Sequence, residues 1–390
     1  MINCSKHSKK CTYPYYGVIS FMSYRTDKDK LFQTLKKLTD VPSPSGFEDK
    51  IREVVIGELK PYADKIWVDS MGNVIALKKG VGEGKIMLAA HMDEIALMVK
   101  AVDKNGFIRF VPIGGWSPRI LPGQRVVIVT LDGKMIRGVI GSKPPHIMKP
   151  EEQNKVIPIH ELFIDIGVTS REDAEKLGVT TGSVIVMDRE TVRIGNGDIV
   201  TGRALDDKIG VSVMIEAFKE LENPAIDVYA VATVQEEVGL KGARTAAYSI
   251  SPDLAIALDV TVASDIPGVS EEDYVTRVGK GPAIKIMDGR AGTGQIVPKP
   301  IRDLLIKTAK EDNIPYQLEV LPGGTTDAAA IQLTKSGIPA GTVSIPTRYL
   351  HSPVELLSLE DSVNAVRLIN GFIKRLNKDW INNVLRREVK

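Results

Sequence analysis

Short apolar segments that stop abruptly at charged residues recur along this 390-residue chain. The clearest is Ile86–Ala90, which is apolar at every position and is followed at once by His91-Met92-Asp93-Glu94. A strand that is apolar on both sides of its pleat predicts burial on both faces, as in a parallel sheet covered by helices. Val228–Val234 and Leu254–Leu258 have the same character, and helical periodicity separates them. The sequence therefore predicts an α/β fold with a mostly parallel sheet and helices on both faces.

Residues 96–193 interrupt this pattern with a different texture. Short β-like runs alternate there with Gly and Pro, which is typical of a small β-barrel. Because α/β patterns precede and follow this stretch, we interpret it as a β-rich domain inserted into one catalytic domain, whose parts are 25–95 and 194–390. We expect residues 1–24 to form a disordered N-terminal extension.

Composition argues against several classes of function. A net charge of +2 predicts neither nucleic-acid binding nor attachment to an anionic membrane surface. No segment approaches the roughly 18 consecutive apolar residues that a membrane helix needs. The two cysteines, Cys4 and Cys11, both fall in the extension, so we expect no disulfide framework in the fold and a cytoplasmic location. Cys4, His7 and Cys11 could bind a metal, but a disordered tail explains them more simply.

Side chains that bind metal ions stand where the predicted strands end. They are His91, Glu236, Glu237 and Asp259 at strand ends, Asp206 at the start of a predicted helix, and His351 after a predicted strand at Gly341–Ile345. Ligand sites of open parallel sheets lie beyond the carboxyl ends of the strands, so we expect these side chains to converge. Two histidines and several carboxylates without cysteine suit zinc, cobalt or manganese. Asp93 is placed to accept the second imidazole N–H of His91.

Each of these residues also has a simpler structural interpretation. Asp259 could be a turn residue, Asp206 a helix N-cap, and His351 an ordinary loop histidine. The recurrence of such residues directly after buried strands favours a shared site. Adjacent strand residues point to opposite faces, so Glu236 and Glu237 can serve one site only if the chain leaves strand geometry there.

Six short motifs occur together in this chain. They are HMDE at His91–Glu94, ALDDK at Ala204–Lys208, QEEVG at Gln235–Gly239, ALDV at Ala257–Val260, GGTTDA at Gly323–Ala328 and RYLHSP at Arg348–Pro353. In these motifs the chain resembles, from about residue 27 to 376, the co-catalytic dinuclear metallo-aminopeptidases of archaea and bacteria. This family includes the glutamyl, leucyl and lysyl aminopeptidases, the deblocking aminopeptidases and the tetrahedral TET peptidases.

The resemblance implies two divalent metal ions per subunit, zinc or cobalt, with manganese also possible. Asp206 is the implied bridge between the ions, and the peptide bond after it is implied to be cis. The resemblance assigns one further pair of ligands to each ion: His91 with Asp259, and Glu237 with His351. Glu236 is the implied general base.

The implied activity is removal of N-terminal amino acids from peptides that have a free N-terminus. The resemblance also implies a homo-oligomer in which the inserted domain forms dimers and the dimers form a tetrahedral dodecamer. The alternative function with the most similar chemistry is another two-metal amide hydrolase, either a deacetylase or a dipeptidase. An endoglucanase-type glycosidase would use paired carboxylates but would leave His91 and His351 without a role.

Overall fold

The computed structural model describes residues 26–385 as a large sheet flanked by helices, with a closed barrel inserted into it. The α-helices are α1 (Lys28–Thr39), α2 (Asp49–Leu59), α3 (Arg171–Lys176), α4 (Leu205–Glu220), α5 (Lys241–Ile250), α6 (Lys299–Glu311), α7 (Asp327–Gln332), α8 (Leu359–Lys374) and α9 (Lys378–Trp380). Between residues 26 and 385, none of the helices has the length and apolar character that crossing a bilayer requires. The predicted extension at 1–24, with Cys4, His7 and Cys11, lies outside the described residues.

The strands form a large sheet and a separate closed barrel. The strands are β1 (Lys65–Val68), β2 (Val74–Lys78), β3 (Lys85–His91), β4 (Ala96–Val102), β5 (Ile108–Ile113), β6 (Arg125–Val129), β7 (Met135–Gly141), β8 (Phe163–Asp165), β9 (Val184–Met187), β10 (Val192–Ile194), β11 (Ile199–Gly202), β12 (Asp227–Thr233), β13 (Leu254–Val262), β14 (Ala283–Met287), β15 (Gln317–Val320), β16 (Ala340–Arg348) and β17 (Glu355–Ser358). The large sheet has the order β1-β2-β12-β3-β13-β16-β17-β11-β10, with β14 and β15 branching from β16.

The centre of the large sheet is parallel and its flanks are antiparallel. Strands β12, β3, β13 and β16 run parallel to one another, and their register sets Thr233 opposite His91 and Asp259 opposite Ser344. On either side, β1, β2, β17, β11 and β10 pair antiparallel. Antiparallel neighbours can be joined by short turns, whereas parallel neighbours need long crossovers. The predicted parallel sheet is therefore this central part of a larger mixed sheet.

Helices cover both faces of the sheet, as predicted. Along β3, Ile86, Leu88 and Ala90 face a core that also contains side chains of α1, α2, α4, α6 and α8. Met87 and Ala89 face the opposite core, with α5 and α7. Alternate side chains of one strand thus enter two different cores, which is why the segment is apolar at every position.

The inserted barrel is a closed sheet in the order β4-β5-β8-β7-β6-β9. It has a separate core, which includes Leu97, Ile128 and Ile185. Its strands lie between Ala96 and Met187, while the following strand β10 pairs with β11 in the large sheet. The barrel is therefore entered from the carboxyl end of β3 and left toward β10 at the edge of the large sheet.

Candidate metal centre

The predicted ligands meet at the carboxyl end of the parallel strands. His91 is the last residue of β3, and Asp259 lies in the second half of β13. Both line a cavity of about 800 Å³. The other walls of this cavity include the loop Gly323–Thr326 and Leu350. The side chains that the strand-end rule selects from the sequence thus lie together at one edge of the sheet.

The chain leaves strand geometry immediately before Glu236 and Glu237, as the sequence required. Strand β12 ends at Thr233, and Gln235 has a left-handed backbone with φ +54°. Gly242 then approaches so closely that a Cβ at this position would lie 2.5 Å from the Val234 carbonyl oxygen. This turn allows two adjacent glutamates to point into the same cavity.

Asp206 lies between the two histidines. Its Oδ1 is 3.1 Å from His91 Nε2, and its Oδ2 is 3.4 Å from His351 Nε2. The peptide bond between Asp206 and Asp207 is cis, as the family resemblance implied. Each oxygen of one carboxylate therefore faces a different histidine.

A further carboxylate accompanies each histidine. Asp259 Oδ1 is 3.9 Å from His91 Nε2, and Glu237 Oε2 is 3.4 Å from His351 Nε2. Donor atoms that share one zinc-like ion, each about 2.0–2.2 Å from it, lie roughly 3–4 Å apart. In both sets the distances from the histidine Nε2 atom to the two carboxylates fall in this range.

The second nitrogen of each histidine faces a backbone carbonyl group. His91 Nδ1 donates to the Asp93 carbonyl oxygen at 3.2 Å, and His351 Nδ1 donates to the Gly115 carbonyl oxygen at 3.0 Å. A neutral imidazole that donates through Nδ1 carries a lone pair on Nε2, which is the form a metal ion binds. In both residues this Nε2 atom faces Asp206.

Asp93 contributes differently from the sequence prediction. Its carboxylate lies 3.5 Å from His91 Nδ1, farther than its own carbonyl oxygen. The carboxylate instead accepts hydrogen bonds from the Ser45 hydroxyl at 2.6 Å and from the backbone N–H groups of Glu236 and Glu237 at 3.0 and 3.3 Å. Asp93 thus holds the turn that carries both glutamates.

Asp207 is also close to His91 and Asp259, within the range of a possible metal group. Both of its oxygens, however, accept backbone hydrogen bonds, from the N–H of His91 at 3.3 Å and of Gly210 at 3.0 Å. The carboxylate of Asp206 accepts no backbone N–H from residues 26–385 and faces the two imidazoles. Geometry therefore favours Asp206 over Asp207 as the ligand, a choice that the sequence left to the family resemblance.

The electrostatics of the centre call for cations. Burial, reinforced by the charge of Asp206, raises the pKa of Glu237 to about 7. Burial also raises the pKa values of Glu236 and Asp259 well above their ordinary range. Glu237 Oε1 is buried and has no hydrogen-bond partner among the described residues. A buried acceptor without a donor is costly, so this donor set fits divalent metal ions.

Several residues that support the centre escaped the sequence prediction. They are Glu355, Asp327, the ion-paired group Glu94, Arg203 and Lys208, and Gly115 in the barrel. Glu355 stands at the start of the buried strand β17, four residues after His351. A charged residue at the start of an apolar strand is unusual, and this could have indicated a role in the site. Gly115 had no signal, because only its carbonyl oxygen takes part.

Comparisons with known proteins identify the family of this chain. The model of the M42 glutamyl aminopeptidase family matches residues 72–368. A putative aminopeptidase from Acetivibrio thermocellus is 45% identical over 343 residues, which cover 88% of this chain and 98% of that protein.

Two solved structures extend the likeness to the fold. Aminopeptidase APDkam598 from the archaeon Desulfurococcus kamchatkensis is 49% identical, with a TM-score of 0.90, and the match covers 93% of this chain and 99% of that one. The TET1 peptidase of Pyrococcus horikoshii, which can assemble into a tetrahedron or a large octahedral shell, is 37% identical, with a TM-score of 0.79. That match covers 89% of this chain and 100% of the other.

Proposed function

The chain belongs to the M42 glutamyl aminopeptidase family, and we propose that this metallo-aminopeptidase removes N-terminal amino acids with two divalent metal ions and Glu236 as the general base. The observation that carries the proposal is the placement of Asp206, whose two oxygens face two separate groups of donors. One ion would be held by His91 and Asp259, the other by Glu237 and His351, and Asp206 would bridge them.

When bound, two such ions supply Lewis acidity and a water of lowered pKa for attack on the peptide carbonyl. We propose that Glu236 takes the proton of that water and returns it to the leaving amine. Its carboxylate lies in the same cavity, 3.9 Å from His91 Nε2, and its backbone is held by Asp93. We propose Asp93 as the residue that orients this base.

Selectivity for a free N-terminus follows from the acidic lining of the cavity. The charges of Glu237 and Asp259 act on the carboxyl group of Glu236. Burial removes water from these carboxylates, so a nearby cation interacts with them more strongly. The free α-amine of a substrate could bind one of the metal ions or, when protonated, pair with a nearby carboxylate, whereas the nitrogen of an internal peptide bond could do neither. We propose peptides with a free amino terminus as substrates.

Exchanging each of the adjacent glutamates for glutamine separates the base from the ligand. We expect Glu236→Gln to keep both metal ions and the fold while turnover of aminoacyl-p-nitroanilides falls by about 10²–10⁴-fold. Glu237→Gln, the matched control, should lose the ion shared with His351. Metal content by mass spectrometry and turnover, measured on the same samples, give the comparison. Near-normal turnover in a metal-replete Glu236→Gln protein would contradict the assignment.

The same assay separates the alternative activities. Turnover should disappear with a chelator and return with zinc or cobalt. Preference for N-acetylated substrates would favour a deacetylase, and cleavage restricted to dipeptides would favour a dipeptidase. Hydrolysis of carboxymethylcellulose that survives chelation would favour a glycosidase.

We propose that the inserted domain at 96–193 mediates dimerisation and that dimers build a tetrahedral dodecamer. Support comes from the solved relative that forms closed shells and from the separate core of the barrel, which leaves its outer surface available for contacts.

We propose zinc or cobalt as the native metal, since the donor set suits both ions. We also propose a cytoplasmic location, since residues 26–385 contain no cysteine.

A further inference from the structure

One buried carboxylate joins two loops of the metal centre. Glu355, the first residue of β17, is 2% exposed. Its Oε2 accepts the backbone N–H of Asp206 at 3.1 Å, and its Oε1 accepts the backbone N–H of His351 at 3.0 Å. Residues that are far apart in the sequence are thus linked through the two oxygens of a single side chain.

Both loops need such a link, because their local conformations are unfavourable. Ala204, two residues before Asp206, has a left-handed backbone with φ +53°, and His351 has φ +55°. A left-handed conformation is unfavourable for a residue other than glycine, because its Cβ comes too close to the following carbonyl oxygen. The imidazole of His351 is also 40% exposed, so packing alone holds it weakly. Contacts from elsewhere in the chain must keep these loops in place.

The chemistry of the link is specific to a carboxylate. Backbone N–H groups bind an ionised carboxylate more strongly than a neutral acceptor. A glutamine at this position has the same shape but has one oxygen and one NH₂ group, and its NH₂ would face a backbone donor. An aspartate keeps the charge but is one methylene shorter, so it reaches one loop at the expense of the other.

We propose that Glu355 is a positioning residue that sets the distance between Asp206 and His351 and thereby the affinity of the metal ion these two residues share. This inference rests on the proposed two-metal function. Glu355 contacts two proposed ligands of the ion shared with His351 but only the bridging Asp206 of the other ion, and it forms no hydrogen bond to His91 or Asp259, so its effect should be larger on the ion shared with His351. Selectivity between the two sites separates positioning from a general loss of structure.

The test is a titration of the metal-free full-length protein with cobalt(II) alone, followed by calorimetry and by visible absorption. Wild type should bind two ions. In Glu355→Gln the second ion, shared with His351, should bind about 10–100-fold more weakly and show an altered absorption spectrum, and the first ion should lose less affinity than the second. Should Glu355→Gln fail to fold, Glu355→Asp decides, with a weakening of the second site in the same direction.

Asp361 offers a matched control. Its buried carboxylate also accepts two backbone N–H groups, from Gly279 at 2.6 Å and Gly281 at 2.7 Å, but these belong to a loop that bears no proposed ligand. Asp361→Asn should therefore bind both cobalt ions as wild type does.

The outcomes are distinct. Equal binding of both ions in wild type and in the Glu355 variants overturns the inference, as does an equal loss at both sites or the same loss in Asp361→Asn. Binding of fewer than two ions by wild type itself refutes the two-metal function instead, and the inference with it.

Discussion

Glu94 and Asp93 are neighbours in sequence but have different electrostatic surroundings. Asp93 is bound by a hydroxyl and by backbone N–H groups. Glu94 forms ion pairs with Arg203 and, at 2.9 Å, with Lys208, and all three side chains are buried. Arg203 and Lys208 also donate to the carbonyl oxygens of Thr39 and Val41. This ionic group ties the segment after α1 to the end of β3 and the start of α4.

The ionic group should make stability depend on pH. Burial alone would raise the pKa of Glu94, but the charges of Arg203 and Lys208 lower it to about 2. A carboxylate with a lowered pKa in the folded state stabilises the protein above its unfolded pKa of roughly 4.3, and this contribution is lost as the pH falls from there toward 2. We expect Glu94→Gln to lower the free energy of unfolding by about 3–5 kcal/mol at pH 7, because two buried cations lose their partner.

Urea unfolding of the metal-free protein, with chelator present at each pH, measures this effect without a contribution from metal loss. Between pH 5 and pH 3 the variant should lose less stability than wild type. Glu83→Gln serves as a control, since Glu83 pairs with Lys378 on the surface, where an ion pair contributes little to stability. An equally steep pH dependence in Glu94→Gln and wild type would contradict the prediction.

Among the elements, strand ends carry most of the proposed ligands, and loops from other elements position them. The loop after β5 in the barrel carries Gly114 and Gly115, and the Trp116 indole N–H anchors it to the Ala96 carbonyl oxygen at 3.0 Å. Through the Gly115 carbonyl oxygen this loop accepts the Nδ1 proton of His351. An element of the inserted barrel therefore takes part in orienting a proposed ligand of the catalytic domain.

A methyl group at Gly115 should disturb this contact. A Cβ there would lie 3.0 Å from His351 Nδ1, and the backbone of Gly115 is not left-handed, so the effect would be steric. We expect Gly115→Ala to displace the imidazole by a few tenths of an ångström and to reduce turnover by about 3–10-fold, since small misplacements at a reacting centre are costly. Cobalt titration should show the weakening at the second ion.

Gly57 provides the comparison for this variant. It lies in α2, and a Cβ added there would meet open space. Gly57→Ala should therefore keep full activity and raise the free energy of unfolding by about 0.5–1 kcal/mol, because alanine favours the helix more than glycine does. Wild-type metal affinity and turnover in Gly115→Ala would show that the barrel loop does not orient His351.

The whole molecule combines a sheet with both faces covered and a barrel that exposes apolar side chains. On the hairpin of β6 and β7, Leu131, Met135 and Val139 are 67%, 53% and 46% exposed. Exposed apolar side chains grouped on one element mark interaction surfaces. This location is consistent with the proposed role of the barrel in assembly.

Light scattering of the full-length protein tests the assembly. We expect a mass of about twelve times the 42.6 kDa of one chain, and a smaller mass when Met135 and Val139 are both replaced by Lys. Val81→Lys is the control, since Val81 is 79% exposed on the catalytic domain and should leave the mass unchanged. A stable monomer of the wild-type chain at micromolar concentration would refute the proposed dodecamer.

Local sequence determined the fold class and the edge of the sheet that holds the site. The apolar run Ile86–Ala90 needed burial on both faces, and that requirement alone implied a parallel strand with helices on each side. His91, Asp259 and the two glutamates followed from their positions after such strands. These are properties of a few consecutive residues, so periodicity and strand ends reveal them.

The contacts that position the site residues are visible only in the three-dimensional arrangement of the chain. The preference for Asp206 over Asp207 depends on which carboxylate is already occupied by backbone N–H groups. Glu355 contacts Asp206 across 149 residues, and the Gly115 carbonyl oxygen contacts His351 across 236. Such contacts join segments that are brought together by sheet order and by the inserted barrel. The periodicity of the sequence cannot reveal these contacts, because the partners share neither a strand nor a helix. A backbone carbonyl oxygen, moreover, has the same chemistry in every residue type.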